Sequence, residues 1–424
     1  MPDPHAPDGV RRLVHRGDRH QETMIFGSLD AQLAEDHRAR IVDDAVRGMD
    51  LREFYLGISS TSGGGGRPAH DPQVLMGLWL LGILDGVGSA RELSRLVDEH
   101  IAYRWLAHGQ PISYHVLASF RVDHAERLDR LLTQMIAGLV SEGLVTVERV
   151  AQDGMRVRAS AGAASFHRQP TLVEALAEAE GQVVALAQEL HDHPGASSKR
   201  QQAARERSAK ERQDRLAKAL SSATELDAKR SAKEDPARVS STDPEARVMK
   251  HGDGGFRPSY NVQLATDTGS QVIVGVAVTN RGSDLGEAAP MHQQVTERTG
   301  VTPKEYLVDG GFTKHDDIDA IDDAGTIILA PVPKPKDATR DRHDPLPGDS
   351  PAVAQWRLRM GQDANKILYH LRAATAECVN ALFRNRGMRA LTVRGQDKAY
   401  ACALWQTLAH NLMRAAVLRT PATA

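Results

Sequence analysis

Cysteine is scarce. The 424-residue chain holds two, Cys378 and Cys402, with no CxxC spacing, so neither a disulfide framework nor a thiolate zinc site is available. Both fall in apolar helical patterns and read as buried, reduced thiols, the state expected of a cytoplasmic protein. An excess of one charge sign is also missing: 53 Lys and Arg stand against 55 Asp and Glu, for a formal net charge of -2. Bulk electrostatics therefore drives the chain neither to nucleic acid nor to an anionic membrane, and any such surface must be local. Long apolar runs are absent as well. The longest, Val74 to Leu84, falls well short of the roughly 18 residues that span a bilayer, and the opening MPDPHAPDGVRR has no apolar signal core. A membrane partner is not expected.

What remains is ordinary globular material, 41% hydrophobic and 25% charged, long enough for two to three domains at about 150 residues each. Residues 1–66 read as a polar N-terminal segment closed by the Gly-rich linker Ser59 to Gly66. Residues 67–145 read as an all-α domain. Apolar residues at Val74, Leu75, Leu78 and Leu81 recur at helix spacing, Ser89 suits the cap of a second helix, a third starts near Ser113, and a fourth carries Leu128, Leu131, Leu132, Ile136 and Leu139. Short helices of this kind suit a helix-turn-helix DNA-binding bundle, although most such bundles have no role with DNA. Residues 146–418 read as an α/β domain. Its strands are expected at Glu148 to Ala159, Ser259 to Thr266, Gln271 to Thr279, Glu305 to Asp309 and Thr326 to Val332, giving a mixed sheet of about five strands framed by helices.

A helical insertion, 165–240, separates the first two strands. Leu172, Leu176, Ala179, Val183, Leu186 and Leu190 repeat in alternating steps of four and three, the pattern of a coiled coil, and His191 to Ser198 reads as the turn. The return arm, Lys199 to Lys233, carries 11 Lys or Arg against 5 Asp or Glu. That excess suits a solvated coiled-coil face first and a DNA-backbone contact second.

Three acids stand out. Asp153 (VAQDG) and Asp309 (YLVDGG) each follow an apolar strand and precede Gly; the pair reads either as common Asp-Gly turns or as two carboxylates beside a backbone open to close substrate approach. Glu377 lies in the last helical region, next to an apolar stripe of Leu371, Ala374, Cys378 and Leu382, and is bracketed by Tyr369, Arg372 and Arg384. Three carboxylates without His or Cys partners favour a hard cation, Mg²⁺ or Mn²⁺, and a pair of such ions is a known device for in-line attack on a phosphodiester. His191 with His193, and His315 with Asp316 and Asp317, sit in turn or helix-start contexts and read as surface residues.

The strings VAQDGMRVRASA, DPEARVMKHGDGGFRPSYNVQLATDT, YLVDGGF, RAATAECVNALFRNRGMRALTVRG and LWQTLAHNLMR resemble, in order, bacterial insertion-sequence transposases of the DDE type. The resemblance runs from about Pro68 to Arg414. It implies a ribonuclease H-like catalytic domain and an N-terminal helical DNA-binding domain. It further implies that Asp153, Asp309 and Glu377 are catalytic and hold two Mg²⁺ or Mn²⁺ ions, with Tyr369, Arg372 and Arg384 at the positions of a Tyr-Arg-Glu-Lys signature that meets DNA. Arg384 replaces the Lys, and Arg372 precedes Glu377 by five residues where four is common. Arg91, Arg95, Arg104 and Arg121 are the candidate DNA contacts of the helical domain. The implied activity is binding of terminal inverted repeats, phosphodiester cleavage and strand transfer on double-stranded DNA, by at least a homodimer, in the cytoplasm at the nucleoid. A related nuclease that cuts without joining, or a domesticated DNA-binding copy without catalysis, are the alternatives.

Overall fold

The computed structural model describes residues 27–58, 60, 68–192, 198–231, 235–335, 337 and 339–420. Most of the expected linker, and the tip of the insertion with His193, therefore lie outside the described residues.

Among the described residues seven α-helices precede the sheet: α1 (Arg38–Arg47), α2 (Arg52–Tyr55), α3 (Pro72–Leu84), α4 (Ala90–Glu99), α5 (Ile101–Leu106), α6 (Tyr114–Val122) and α7 (Ala125–Ser141). Their starts follow from local chemistry. Asp71, Ser89 and Ser113 each accept a backbone N–H of the first turn of α3, α4 and α6, satisfying donors that a helix start leaves free. Helix α3 is apolar on all sides and correspondingly buried on all sides. Helices α1 and α2 precede the linker, yet Val42, Val46, Leu51 and Phe54 belong to the same core as Trp79.

The sheet begins with β1 (Arg149–Arg158). The short β2 (Phe166–His167) and β3 (Val239–Ser240) pair to close the base of a helical hairpin, α8 (Gln169–Asp192) and α9 (Lys199–Ala228). At that base Leu172 and Ala179 bury against Leu216, Ala219, Ala223 and Val239, a small core of its own. Towards the tip Val183, Leu186 and Leu190 of the stripe are half-buried. Then follow β4 (Arg247–Lys250), β5 (Phe256–Asp267), β6 (Ile273–Thr279), α10 (Ala288–Thr299), β7 (Glu305–Leu307), α11 (His315–Asp323) and β8 (Ile327–Leu329). Strand β1 pairs antiparallel with β5 and parallel with β7, β7 pairs parallel with β8, and β5 carries β4 and β6 along its other edge. The order is thus β6-β5-β1-β7-β8, with β1 central.

Four helices close the chain: α12 (Pro351–Gly361), α13 (Asp363–Tyr369), α14 (Cys378–Asn385) and α15 (Gln396–Arg419). Between α13 and α14, Ala373–Glu377 form a π-helical turn. Helix α15 is buried on almost every face. It lies between the sheet and the N-terminal helices: Asn411 exchanges two hydrogen bonds with the Ile273 backbone of β6, at 2.9 and 2.8 Å, and the Trp405 ring sits 6.3 Å from Trp79 of α3 and 6.0 Å from Phe120 of α6. One continuous hydrophobic core results, shared by the helical bundle and the sheet. Among the described residues no helix is long and apolar enough to cross a membrane.

Candidate active site

The site is built where β1 and β7 run side by side. Their parallel register pairs Arg149 with Glu305 and Ala151 with Leu307; the same offset carried two residues further sets Asp309 beside Asp153. Asp309 stands just past β7, where its carboxylate accepts the Gly311 N–H at 2.7 Å and starts a tight turn. Asp153 sits in mid-strand, its Oδ1 accepting the Gly154 N–H at 3.0 Å.

The third acid arrives on the π turn. In an α-helix, residues five apart point about 140° away from each other, so Arg372 and Glu377 would diverge. The π turn absorbs the extra residue and lines them up: Arg372 Nη1 donates to Glu377 Oε1 at 3.2 Å. The same guanidinium lies 2.9 Å from Asp153 Oδ1 and 3.8 Å from Asp309 Oδ2. All three acids therefore meet on one cation. Among the described residues no three or more His, Cys, Asp and Glu form a group that could hold a metal ion; here the carboxylates are gathered around Arg372 instead.

Burial pushes the Asp153 carboxyl above its ordinary value; Arg372 pulls it down and Asp309 pushes it up again. Arg372 itself loses by burial but is held above its ordinary value by Asp153, Tyr369, Asp309 and Glu377. The two directions are compatible, because Asp153 bears its own desolvation while Arg372 is shared among several partners. Burial also raises the half-buried Tyr369 hydroxyl, with Arg372 opposing.

Two expectations need correction. The stripe Leu371, Ala374, Cys378 and Leu382 does not face the core: the first three are exposed, and Arg372, Thr375, Ala376, Val379, Asn380 and Phe383 are buried in its place. The helix is turned so that polar side chains reach Asp153, and that rotation also leaves Cys378 exposed while Cys402 is buried. Gly154 has a different use from the one expected of it. A Cβ there would come within 2.6 Å of Gln263 Nε2 and 2.9 Å of Asn261 Oδ1, so the glycine makes room for buried protein groups. Asn261 and Gln263 each donate to Asp284 Oδ1 at 2.7 Å, and Arg156 to its Oδ2 at 2.8 Å. This polar layer under β1 was not anticipated, although alternating Asn and Gln in an otherwise apolar strand (YNVQL) was a signal for it.

Arg384 is exposed on α14. In the helical bundle, the Arg91 guanidinium lies over the Tyr114 ring at 4.9 Å, Arg95 pairs with Glu92 and Glu99 on its own helix, and Arg104 is exposed. Arg121 turns inward, donating to Gly88 O at 2.7 Å and Thr392 Oγ1 at 3.3 Å and stacking over Trp79; it bridges the bundle to the chain after α14. On the hairpin, Arg205 pairs with Glu189, Arg212 with Glu178 and Lys218 with Glu245. His315 and Asp316 are exposed at the start of α11 as expected, but Asp317, read above as a surface residue, is buried and accepts the Ala288 N–H at 3.2 Å, a further correction.

No curated protein matches the chain. Two family models do: a transposase domain (DUF772) over residues 27–123 and a transposase DDE domain over residues 221–412. The first begins at the first described residue and takes in α1 to α6, in keeping with their shared core, and stops short of α7. The second covers Asp309, Arg372 and Glu377; Asp153 lies outside both spans. Both are transposase domains, and together the two matches support an insertion-sequence transposase of the DDE type.

Proposed function

We propose that this chain binds the terminal inverted repeats of its own element and catalyses cleavage and strand transfer at one site formed by Asp153, Asp309 and Glu377 on a ribonuclease H-like domain. The observation that carries the proposal is the meeting of three carboxylates, from β1, from the loop after β7 and from the π turn, on the single guanidinium of Arg372. That these residues, distant in sequence, come together at one end of the parallel strand pair supports a common task. DNA transposition is the family's activity, and this reading assigns its chemistry to named side chains.

The donor set fits a hard divalent cation: oxygen ligands only, around a place where a positive charge already sits. Asp153, Asp309 and Glu377 would hold Mg²⁺ or Mn²⁺, two ions in this reading. Such ions, when bound, supply a nucleophile at neutral pH and a counter-charge for the leaving oxygen. The side chains do the rest. Asp153, fixed on both oxygens, would be the rigid member of the set that holds the ions, with the more exposed Asp309 and Glu377 adjusting around it. With cations held by the acids, the Arg372 charge would serve the DNA backbone, beside Tyr369 and Arg384. In the first step water forms a new P–O bond and the bond to the 3′-oxygen breaks, leaving a 3′-hydroxyl and a 5′-phosphate. In the second that hydroxyl attacks a phosphodiester of target DNA: a new P–O bond forms, the bond to the target strand's 3′-oxygen breaks, and that oxygen takes up the proton and leaves as a 3′-hydroxyl, so the strands are joined. A dimer would bring two ends together.

Asp153→Ala, Asp309→Ala and Glu377→Ala should each abolish nicking of a duplex carrying the element's end in Mg²⁺ while retaining its binding, since affinity comes mainly from phosphate contacts elsewhere. Cleavage that persists in chelator, or in Asp153→Ala, would overturn the assignment. Products with cut ends but no joined strands would favour a nuclease.

A further inference from the structure

Asp153 is held from a second side by a residue with no assigned role. Asn380, buried one turn past Glu377, donates its side-chain amide to Asp153 Oδ2 at 2.9 Å. A carboxylate offers only acceptors, so the NH₂ group and not the carbonyl must face it. The opposite oxygen, Oδ1, is fixed by the Gly154 N–H and by Arg372. Asn380 Oδ1, meanwhile, is buried without a hydrogen-bond partner among the described residues. An unpaired buried carbonyl is a standing cost, and a Leu at this position between Val379 and Phe383 would avoid it. The amide is kept in a buried position, and among the described residues its side-chain hydrogen bond is to the carboxylate.

We propose that Asn380 is a positioning residue for the cation-holding carboxylate. It pins Asp153 Oδ2, so that Oδ1 stays turned to the point where Asp309 Oδ2 also reaches the Arg372 guanidinium, and it couples the angle of β1 to that of the helix carrying Glu377. This rests on the reading of Asp153 as a cation ligand. Partners one step removed from a metal act by orienting its ligands, and their loss typically weakens binding about 10-fold or more.

The test is a Mn²⁺ titration of the full-length chain without DNA, following free Mn²⁺ by electron paramagnetic resonance, with thermal unfolding in chelator as a check on the fold. Asn380→Leu keeps the branched shape and deletes the donor; Asn380→Ala serves if the first variant does not fold. Val379→Ala loosens the same turn without touching Asp153. The expected result is a dissociation constant raised about 10-fold or more for the Asn380 variants and unchanged for Val379→Ala. Affinity within about twofold of wild type in the Asn380 variants would overturn the inference, as would equal weakening in all three, which marks general loosening. Wild-type affinity in Asp153→Ala is a different failure: it would remove the cation site itself, and the role of Asn380 with it.

Discussion

Replacing Arg372 by Met keeps most of the stem and removes the charge that three carboxylates share. The contact with Asp153 dominates, because the two side chains are only 10% and 17% exposed, whereas Asp309 and Glu377 are 41% and 60% exposed and solvent screens what they gain. Stripping one partner from a buried pair costs about 3–5 kcal/mol. Residual exposure, and the escape open to Asp153 by taking up a proton, reduce this to about 2–3 kcal/mol. At about 2 °C per kcal/mol, the low end suited to a long chain, the variant should unfold roughly 4–6 °C below wild type in chelator. Saturating Mn²⁺ should then stabilise the variant more than wild type, where the cation must first displace the guanidinium; a ligand at 100 times its dissociation constant adds about 2.7 kcal/mol. Differential scanning fluorimetry of both proteins, with chelator and with Mn²⁺, reads all four values. An unchanged unfolding temperature in chelator, or equal gains from Mn²⁺, would refute the view that Arg372 stands in for the cation.

Two further outcomes follow from the same geometry. Gly154→Ala should cost about 1–3 kcal/mol through overpacking against Asp284, Gln263 and Asn261, measurable by denaturant unfolding; a neutral result would mean that the polar layer under β1 yields freely. In chelator, burial raises the Asp153 pKa above 3.8, so as pH falls the folded chain takes up this proton before the unfolded one does. The ionised carboxylate thus costs stability above the raised pKa, and the cost vanishes as pH drops towards 3.8. Wild type should gain stability relative to Asp153→Asn over that acid window, and a flat or opposite trend in unfolding temperature would contradict the direction given.

Much of this architecture is legible in the sequence because its signals are local. Helix starts at Ser89 and Ser113 carry capping side chains, the strands β6 and β8 are rich in β-branched residues, and the base of the insertion is marked by Leu172 and Ala179. Other features are not local. The four-residue β4 exists only because β5 offers it an edge. Helix α15 has apolar and polar residues on all sides, so nothing in its pattern tells that it lies between two layers, with Asn411 serving the backbone of β6. Around Glu377 the apolar residues suggested one face for the core and the structure uses another, because the need of Asp153 for Arg372 and Asn380 outweighs the burial of Leu371 and Cys378. The five-residue spacing from Arg372 to Glu377 was visible as a departure. Its meaning, a π turn that restores the contact, required the third dimension.

The central claim, one cation site made by three distant acids, is tested most directly by anomalous diffraction from crystals of the full-length chain soaked in Mn²⁺. The account predicts peaks bounded by Asp153, Asp309 and Glu377, with the Arg372 side chain moved away from the carboxylates. Peaks only at other acids, or none at millimolar Mn²⁺ with Arg372 still seated between the three carboxylates, would contradict it.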